Sequence, residues 1–301
     1  MMAGYSDSRS FAQRFILVMF LTVLHVTAKK CDLNKCQGPL RYYKDLGCKP
    51  IYKNSSDCCP ESYNCDHLKK LAKDKCYMNG HEYNDDEALR SEDRNRCDVG
   101  CHCSAKPPND PVFNCAIVDC YRGDPEGKCY LRGSPDLCCG KIICLGEGEV
   151  RPTCKVDGKI YQDGEIVHPK ADPEVECFCQ PGFTGKIEEP YCKKPNRSQC
   201  SPFLRDMSNV NNKCAPVYTN KQNLVTECPG WFPTYRCEEE GDVIIRNNSS
   251  SSDGGKMCKL GNLKMHKGDI LKPGNSDDSS NVKCVCQVPP IPTCRLIKDP
   301  N

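Results

Sequence analysis

Twenty-eight of the 301 residues are cysteine, and this count constrains the fold more than any other feature of the chain. Such a density is typical of small modules that are held together by covalent bridges. Only 7% of the residues are aromatic, and the mean hydropathy is −0.63. A chain of this kind cannot bury a large apolar core, so crosslinks must supply much of the stabilisation that a core normally provides.

The charges are balanced, with 42 basic against 40 acidic residues, and no long basic run is present. Nucleic-acid-binding proteins normally carry a clear basic excess or a basic patch. We therefore expect no nucleic-acid partner.

The first thirty residues contain no cysteine and have the layout of a secretory signal peptide. Arg9 and Arg14 precede an apolar run over residues 15–24, and small residues favour cleavage near Ala28. A membrane anchor is the competing interpretation, but about 20 apolar residues are needed to span a bilayer. We therefore expect a signal peptide at 1–28 and a secreted, extracellular protein without a membrane span.

An even cysteine count in a secreted chain predicts a disulfide framework. Zinc is the competing interpretation, because Cys101 and Cys103 form one of three close C-x-C pairs. Structural zinc sites more often use C-x-x-C pairs, and the tandem cysteines at 58–59 and 138–139 suit a bridged network. We therefore expect disulfides, with no metal and no cofactor.

Two cysteine blocks alternate along the chain with a period of roughly 80 residues, which indicates an internal repeat. One block starts at Cys76, Cys154 and Cys258, and similar turn residues, acids and apolar pairs follow each start. This pattern predicts two short strands joined by turns. The copies of the second block run over 36–65, 120–144 and, more loosely, 200–237.

Ten cysteines from Cys76 to Cys144 follow the order C…C-x3-C-x-C…C-x4-C…C…CC…C. This arrangement resembles the von Willebrand factor type C module, also called the chordin-like cysteine-rich repeat. The family usually has C-x2-C-x-C at its centre, so Cys97 lies one residue early. The resemblance covers nearly all of residues 31–294. It implies a small disulfide-rich fold, mostly β and irregular, of elongated tandem modules with short antiparallel sheets that touch only their neighbours.

The resemblance also divides the chain after the signal peptide. The parts are an opening half-module of the second-half type (29–75), a full module one (76–144), a full module two that lacks one bridge (154–237), a polar Ser/Asn-rich insert (238–257) and a closing half-module of the first-half type (258–301).

The pairing order of the family implies a disulfide map for both full modules. In module one the implied pairs are Cys76–Cys103, Cys97–Cys138, Cys101–Cys115, Cys120–Cys139 and Cys129–Cys144. In module two they are Cys154–Cys179, Cys177–Cys192, Cys200–Cys228 and Cys214–Cys237. Module two lacks both cysteines of one family pair, which leaves no free thiol and supports the implied order.

The remaining cysteines lie in the two half-modules. Four implied pairs follow the family, namely Cys36–Cys59, Cys48–Cys65, Cys258–Cys286 and Cys284–Cys294. Cys31 and Cys58 are left over, because their usual partners belong to a first half that is absent. We expect these two to pair with each other, which departs from the family.

No enzyme motif is present, and we expect no catalytic residues. His81 and Glu82 lack the second histidine of a metalloprotease helix, and the disulfide count leaves no nucleophilic thiol. An EGF-like domain is a minor alternative over 177–185, but the closing cysteine of that family would come earlier.

Four asparagines lie in N-glycosylation sequons, which in a secreted chain indicate surface positions. They are Asn54, Asn196, Asn247 and Asn248. Because the last two are adjacent, we expect at most one glycan there.

The resemblance implies a secreted, multi-module binding protein whose partner is a growth factor of the bone-morphogenetic/TGF-β type or a matrix component. In that family most ligand contacts come from the first half of a module and from the segment before its first cysteine. The corresponding segments here are 76–103, 154–179 and 258–286. Their apolar pairs Ile166-Val167 and Ile270-Leu271 either meet a ligand or pack against their own sheet, and no individual residue is assigned to ligand binding. The alternatives are a structural or interaction protein of the extracellular matrix, cuticle or a secreted fluid, and a protease inhibitor.

Overall fold

The computed structural model describes residues 31–120, 127–198, 200–229, 234–247, 255–274 and 281–298. The expected signal peptide and the sequon residue Asn248 lie outside these ranges. Within them, no helix combines the length and the apolarity that a membrane crossing requires.

Short antiparallel strands dominate the chain, with 33% of residues in strands, 11% in helices and fourteen disulfides. The expected fold class, small, disulfide-rich and mostly β with short antiparallel sheets, is therefore confirmed. An isolated two-stranded hairpin is marginally stable in water. The disulfides and the contacts between modules must therefore stabilise these small sheets.

The opening half-module combines short helices with one hairpin. Its elements are a 3-10 helix at Leu33–Lys35, α1 (Leu40–Asp45), β1 (Lys49–Ile51), β2 (Ser62–Asn64) and a 3-10 helix at Asp66–Lys70. Helix α1 buries Tyr42 and Tyr43 almost completely. Aromatic rings remove large apolar areas from water, so two tyrosines anchor a helix of only six residues.

Module one consists of hairpins and one 3-10 helix. Its elements are β3 (Cys76–Met78), β4 (His81–Tyr83), a 3-10 helix at Ser91–Asp93, β5 (Val99–Ser104), β6 (Val112–Ala116), β7 (Cys129–Ser134) and β8 (Leu137–Cys144). Strands β3 and β4, β5 and β6, and β7 and β8 each form a two-stranded antiparallel sheet.

Module two has strands in its first half and two short helices in its second half. The elements are β9 (Thr153–Val156), β10 (Lys159–Gln162), β11 (Ile166–Val167), β12 (Glu176–Phe178), β13 (Cys192–Lys193), α2 (Pro202–Arg205), α3 (Met207–Asn211), β14 (Ala215–Tyr218) and β15 (Thr234–Arg236).

The insert contains a strand, although the sequence suggests only a polar segment there. Strand β16 (Val243–Ile245) precedes the closing half-module. That half-module contains β17 (Cys258–Leu260), β18 (Leu263–Met265), β19 (Ile270–Lys272), β20 (Val282–Val285) and β21 (Thr293–Leu296). Strand β16 pairs antiparallel with β19.

The three repeat copies begin with the same hairpin in the same register. Each starting cysteine lies opposite the residue seven positions later: the pairs are Cys76 with Tyr83, Cys154 with Tyr161 and Cys258 with Met265. A positive φ then recurs in each copy, at Asp86 (66°), Gly164 (91°) and Gly268 (92°). In the third copy, the hairpin turn between β17 and β18 has its left-handed residue at Gly261, one position before Asn262, which aligns with Gly80 and Gly158. The repeat seen in the sequence is thus a repeat of backbone geometry.

A six-stranded sheet joins module two to the closing half-module. Its strand order is β15-β14-β21-β20-β19-β16, and β14 and β21 run parallel to each other. Strand β16 is an edge strand, so the insert extends the sheet. The cluster beneath the sheet includes Ala215, Leu260 and Leu271, all almost fully buried.

The expectation that modules touch only their neighbours is wrong, because the opening and closing half-modules pack together. Tyr43 in helix α1 donates a hydrogen bond to the Val288 carbonyl at 2.6 Å and accepts one from the Ile291 N–H at 2.7 Å. The same cluster contains Leu46 and Val288. A half-module has too few residues to bury a core alone, so the two ends of the tandem cover each other.

Candidate functional site

The fourteen disulfides form the covalent frame of the molecule. The structure brings together every cysteine pair named above, including Cys31 with Cys58. No cysteine in the described part of the chain is free. A nucleophilic or metal-binding cysteine must be a thiolate, so these sulfur atoms have a structural role.

The tandem cysteines create a close group of sulfur atoms. The Sγ atoms of Cys36, Cys58 and Cys59 all lie within 4.8 Å of one another. Both Cys58 and Cys59 are in disulfides, with Cys31 and Cys36 respectively. The short distances therefore follow from two neighbouring bridges.

Strands β9 to β12 of module two, residues 153–179, form a small platform around two bridges. Val167 at its centre is fully buried, together with Val175 and the bridge from Cys177 to Cys192. Backbone hydrogen bonds between the Gly164 and Cys179 regions close the platform on one side. The bridges and these hydrogen bonds thus fix the shape of the platform.

The four apolar candidates from the sequence divide between core and surface. Val167 and Leu271 are 0% and 2% exposed, whereas Ile166 is 41% exposed and Ile270 is half-buried. Successive side chains of a strand point to opposite faces. Each apolar pair therefore gives one residue to its own core, and Ile166 is the clearest surface position of the four.

A second exposed apolar side chain of the platform was not singled out from the sequence. Ile160 in β10 is 67% exposed and lies opposite Lys155 of β9. Single exposed apolar residues are ordinary on protein surfaces. Ile160 and Ile166 are thus two exposed apolar side chains on one disulfide-bonded platform, and both are accessible to another protein.

A buried carboxylate attaches the platform to module one. Asp163 is fully buried and accepts a hydrogen bond from the Tyr130 hydroxyl at 2.6 Å. Arg132 donates to it through Nε and Nη2, at 2.8 and 2.6 Å. Burial and the hydrogen bond to Asp163 raise the pKa of Tyr130. A buried charge is tolerated only when it is paired and hydrogen-bonded, so this contact holds the two modules in one arrangement.

A close packing contact reinforces the same interface. A Cβ atom on Gly133 would lie 2.3 Å from the ring of Phe178, so only glycine fits there. Arg96 forms an ion pair with the buried Glu176 and lies over the Phe178 ring, 5.0 Å from its centroid. Gln180 donates to the Gly133 carbonyl at 2.7 Å.

Histidine is involved in one buried polar cluster of module one. Asp93 accepts hydrogen bonds from Asn79 at 2.9 Å, from His81 at 2.6 Å and from the Tyr83 hydroxyl. Burial opposes ionisation of Asp93, but these hydrogen bonds hold its pKa below the ordinary value. The cluster therefore joins strand β4, through His81 and Tyr83, to the 3-10 helix that ends at Asp93.

A charged cluster joins the opening half-module to module two. Glu174 accepts a hydrogen bond from Lys194 at 2.7 Å and also contacts Lys44 and Arg41. These cations lower the pKa of Glu174 to about 2. No motif in the sequence indicates this cluster, because Arg41 and Lys44 lie 133 and 130 residues before Glu174.

The sequon asparagines differ in how their side chains are used. Asn54 is exposed and its amide contacts only Asp57, three residues away. The Asn196 amide instead donates to the Ser91 and Arg94 carbonyls of module one, at 3.1 and 2.7 Å. Asn247 lies at the surface beside Gly268 of the closing half-module. Only sequence-distant contacts reveal the structural role of Asn196.

Comparison with models of known protein families gives no match, and no solved structure matches this fold.

Proposed function

We propose that the chain is a secreted binding protein that recognises an extracellular protein through the platform of module two. The observation that carries this proposal is the exposure of Ile160 and Ile166, whose chain neighbours Tyr161 and Val167 pack in the core cluster of the platform. Contacts of this kind contribute binding energy when their support is rigid, because little conformational entropy is then lost on association. Fourteen disulfides are typical of a protein that works in an oxidising, extracellular compartment.

The ligand class comes from the resemblance to von Willebrand factor type C modules. Growth factors of the bone-morphogenetic/TGF-β type are therefore the first candidates. Interfaces gain most of their binding energy from a few apolar or aromatic residues in their centre. On the platform, Ile160 and Ile166 would take this role, while the net charge of +2 gives little long-range steering.

Surface plasmon resonance with the fully oxidised chain and a panel of such growth factors tests the proposal. We expect binding below micromolar concentration, and the double variant Ile160→Glu/Ile166→Glu should weaken it by about tenfold or more, since both contacts are lost. The matched control is Val150→Glu, because Val150 is 85% exposed and lies outside the platform. This control should leave the affinity within twofold.

Absence of binding to the whole panel would contradict the growth-factor part of the proposal. Binding that resists the double variant would contradict the choice of the platform as the contact surface. The first result would favour a structural or interaction protein of the extracellular matrix, cuticle or a secreted fluid, whereas the second would place the growth-factor contact on another surface of the chain.

A further inference from the structure

A cleft of about 610 Å³ lies where three separate parts of the chain meet. Its walls come from the opening half-module, from the α3 region of module two and from the closing half-module. It shares no lining residue with the platform. Small-molecule sites usually measure about 300–1,000 Å³ and often lie between domains, so both the volume and the position suit a small ligand.

The inner surface of the cleft is mainly apolar. The apolar lining residues include Leu46, Leu68, Val210, Pro290 and Ile291. Leu46 and Leu68 come from the opening half-module and Pro290 and Ile291 from the closing one, so the surface exists only when the two half-modules have packed together. An apolar surface of this shape favours an apolar ligand group.

One buried hydroxyl in the cleft lacks a protein partner. Ser62 is 2% exposed, and its Oγ atom finds no hydrogen-bond partner among the residues described. A buried polar group without a hydrogen-bond partner destabilises the folded state. Since Ser62 lines the cleft, a ligand with a hydrogen-bonding oxygen would satisfy it.

The rim carries a pair of lysines in an unfavourable position. Lys259 and Lys264 lie directly opposite each other on hairpin β17–β18. Like charges opposite each other on a hairpin repel. Neither ammonium has a carboxylate within 4.0 Å in the described ranges, whereas Lys69 and Lys256, also on the rim, pair with acidic residues.

The equivalent hairpins show that this lysine pair is a special feature of the third copy. The matching opposed pairs are Tyr77 with Glu82 in module one and Lys155 with Ile160 in module two. A lysine pair that faces a ligand cleft is stabilised when an anion lies between its charges.

We propose that this cleft binds an amphipathic carboxylate of the fatty-acid class. The apolar tail lies against Leu68, Val210 and Ile291, and the carboxylate group pairs with Lys259 and Lys264. The Ser62 hydroxyl gains a ligand oxygen as its hydrogen-bond acceptor. This site goes beyond the proposed protein-binding function, because it uses a different surface and a different class of ligand.

Isothermal titration calorimetry of the full, oxidised and delipidated chain with dodecanoate tests the proposal. We expect saturable binding with one site per chain. Acetate has the same charged group without the tail, and dodecyltrimethylammonium has the same tail with the opposite charge. Both should bind much more weakly than dodecanoate, because each lacks one of the two complementary features.

Two variants locate the site. Lys259→Ala/Lys264→Ala should reduce the affinity for dodecanoate by about tenfold or more, as expected for the loss of charge-assisted hydrogen bonds. The matched control is Lys155→Ala/Lys159→Ala, which removes two exposed lysines from the equivalent hairpin of module two. It should leave the affinity within twofold.

A third variant tests the apolar part of the cleft. Leu68→Trp should fill the cleft and abolish binding, while peptide mapping without reduction should show unchanged disulfides. The proposal is overturned if dodecanoate does not bind, if the Lys259/Lys264 variant binds like its control, or if dodecyltrimethylammonium binds equally well. None of these outcomes depends on growth-factor binding.

Discussion

Replacing Tyr43 with phenylalanine tests how the two ends of the chain are held together. The Tyr43 side chain is fully buried, and its hydroxyl serves both the Val288 carbonyl and the Ile291 N–H. Tyr43→Phe keeps the ring, which stacks on Tyr63 with centroids 4.1 Å apart. The variant therefore removes two hydrogen bonds and leaves the apolar packing in place.

The expected cost follows from the two backbone groups that lose their partner. A buried donor or acceptor without a hydrogen bond costs about 1–3 kcal/mol. This cost corresponds to a rise of roughly 5- to 150-fold in the population in which the opening and closing half-modules have separated. The disulfides do not prevent this opening, because no bridge connects the two half-modules.

Hydrogen exchange followed by mass spectrometry measures the opening directly. In Tyr43→Phe, the peptide that contains Ile291 should exchange faster by a factor in that range. Peptides of the platform should keep their rates, since they lie outside the contact. The control is Tyr52→Phe, because Tyr52 is 43% exposed. Equal exchange at Ile291 in both variants would refute the reasoning that the Tyr43 hydroxyl holds the chain ends together.

Three further predictions concern other parts of the molecule. The pKa of Glu174 is lowered to about 2, so its stabilising contribution is present above its unfolded pKa and is lost as the pH falls from that value through about 2. In Glu174→Gln, the free energy of unfolding should therefore depend less on pH between these two pKa values. Gly133→Ala should lower the free energy of unfolding in urea by about 1–3 kcal/mol, because the added methyl group overlaps the Phe178 ring, and an unchanged midpoint would contradict this. Glycopeptide mass spectrometry should find a glycan on Asn54 and none on Asn196, since a glycan there would replace one amide N–H that bonds module one; full occupancy of Asn196 in folded protein would contradict this.

The disulfide map is itself open to a direct test on unreduced protein. Peptide mapping should find Cys97 joined to Cys138 and Cys31 joined to Cys58. The second pair is the sharper test, because it departs from the family that the sequence resembles. Recovery of Cys31 in a bridge between two chains would show that the opening half-module has a different pairing.

Local features of the fold follow from the sequence because they depend on short-range geometry. The spacing of Cys154 and Tyr161 predicts a hairpin, since a tight turn and a fixed register are decided within eight residues. The left-handed position at Gly164 is likewise a local requirement. The class of fold, small and disulfide-rich, follows from composition alone.

The residues that form the candidate surfaces could be identified only from the tertiary structure. The alternation of Ile166 and Val167 shows that one side chain is buried, but the sheet decides which one. The same holds for Asp163, whose partners Tyr130 and Arg132 belong to another module and show no motif.

The sequence by itself therefore determined the strand-and-turn repeat and a small, mostly β fold stabilised by bridges. Only the tertiary structure decided that the opening and closing half-modules pack together and form a cleft between them. The physical reason is burial: each half-module has too few residues to cover its own apolar face. Tyr43 and Val288 cover each other across 245 residues, and no local pattern encodes a contact at that separation.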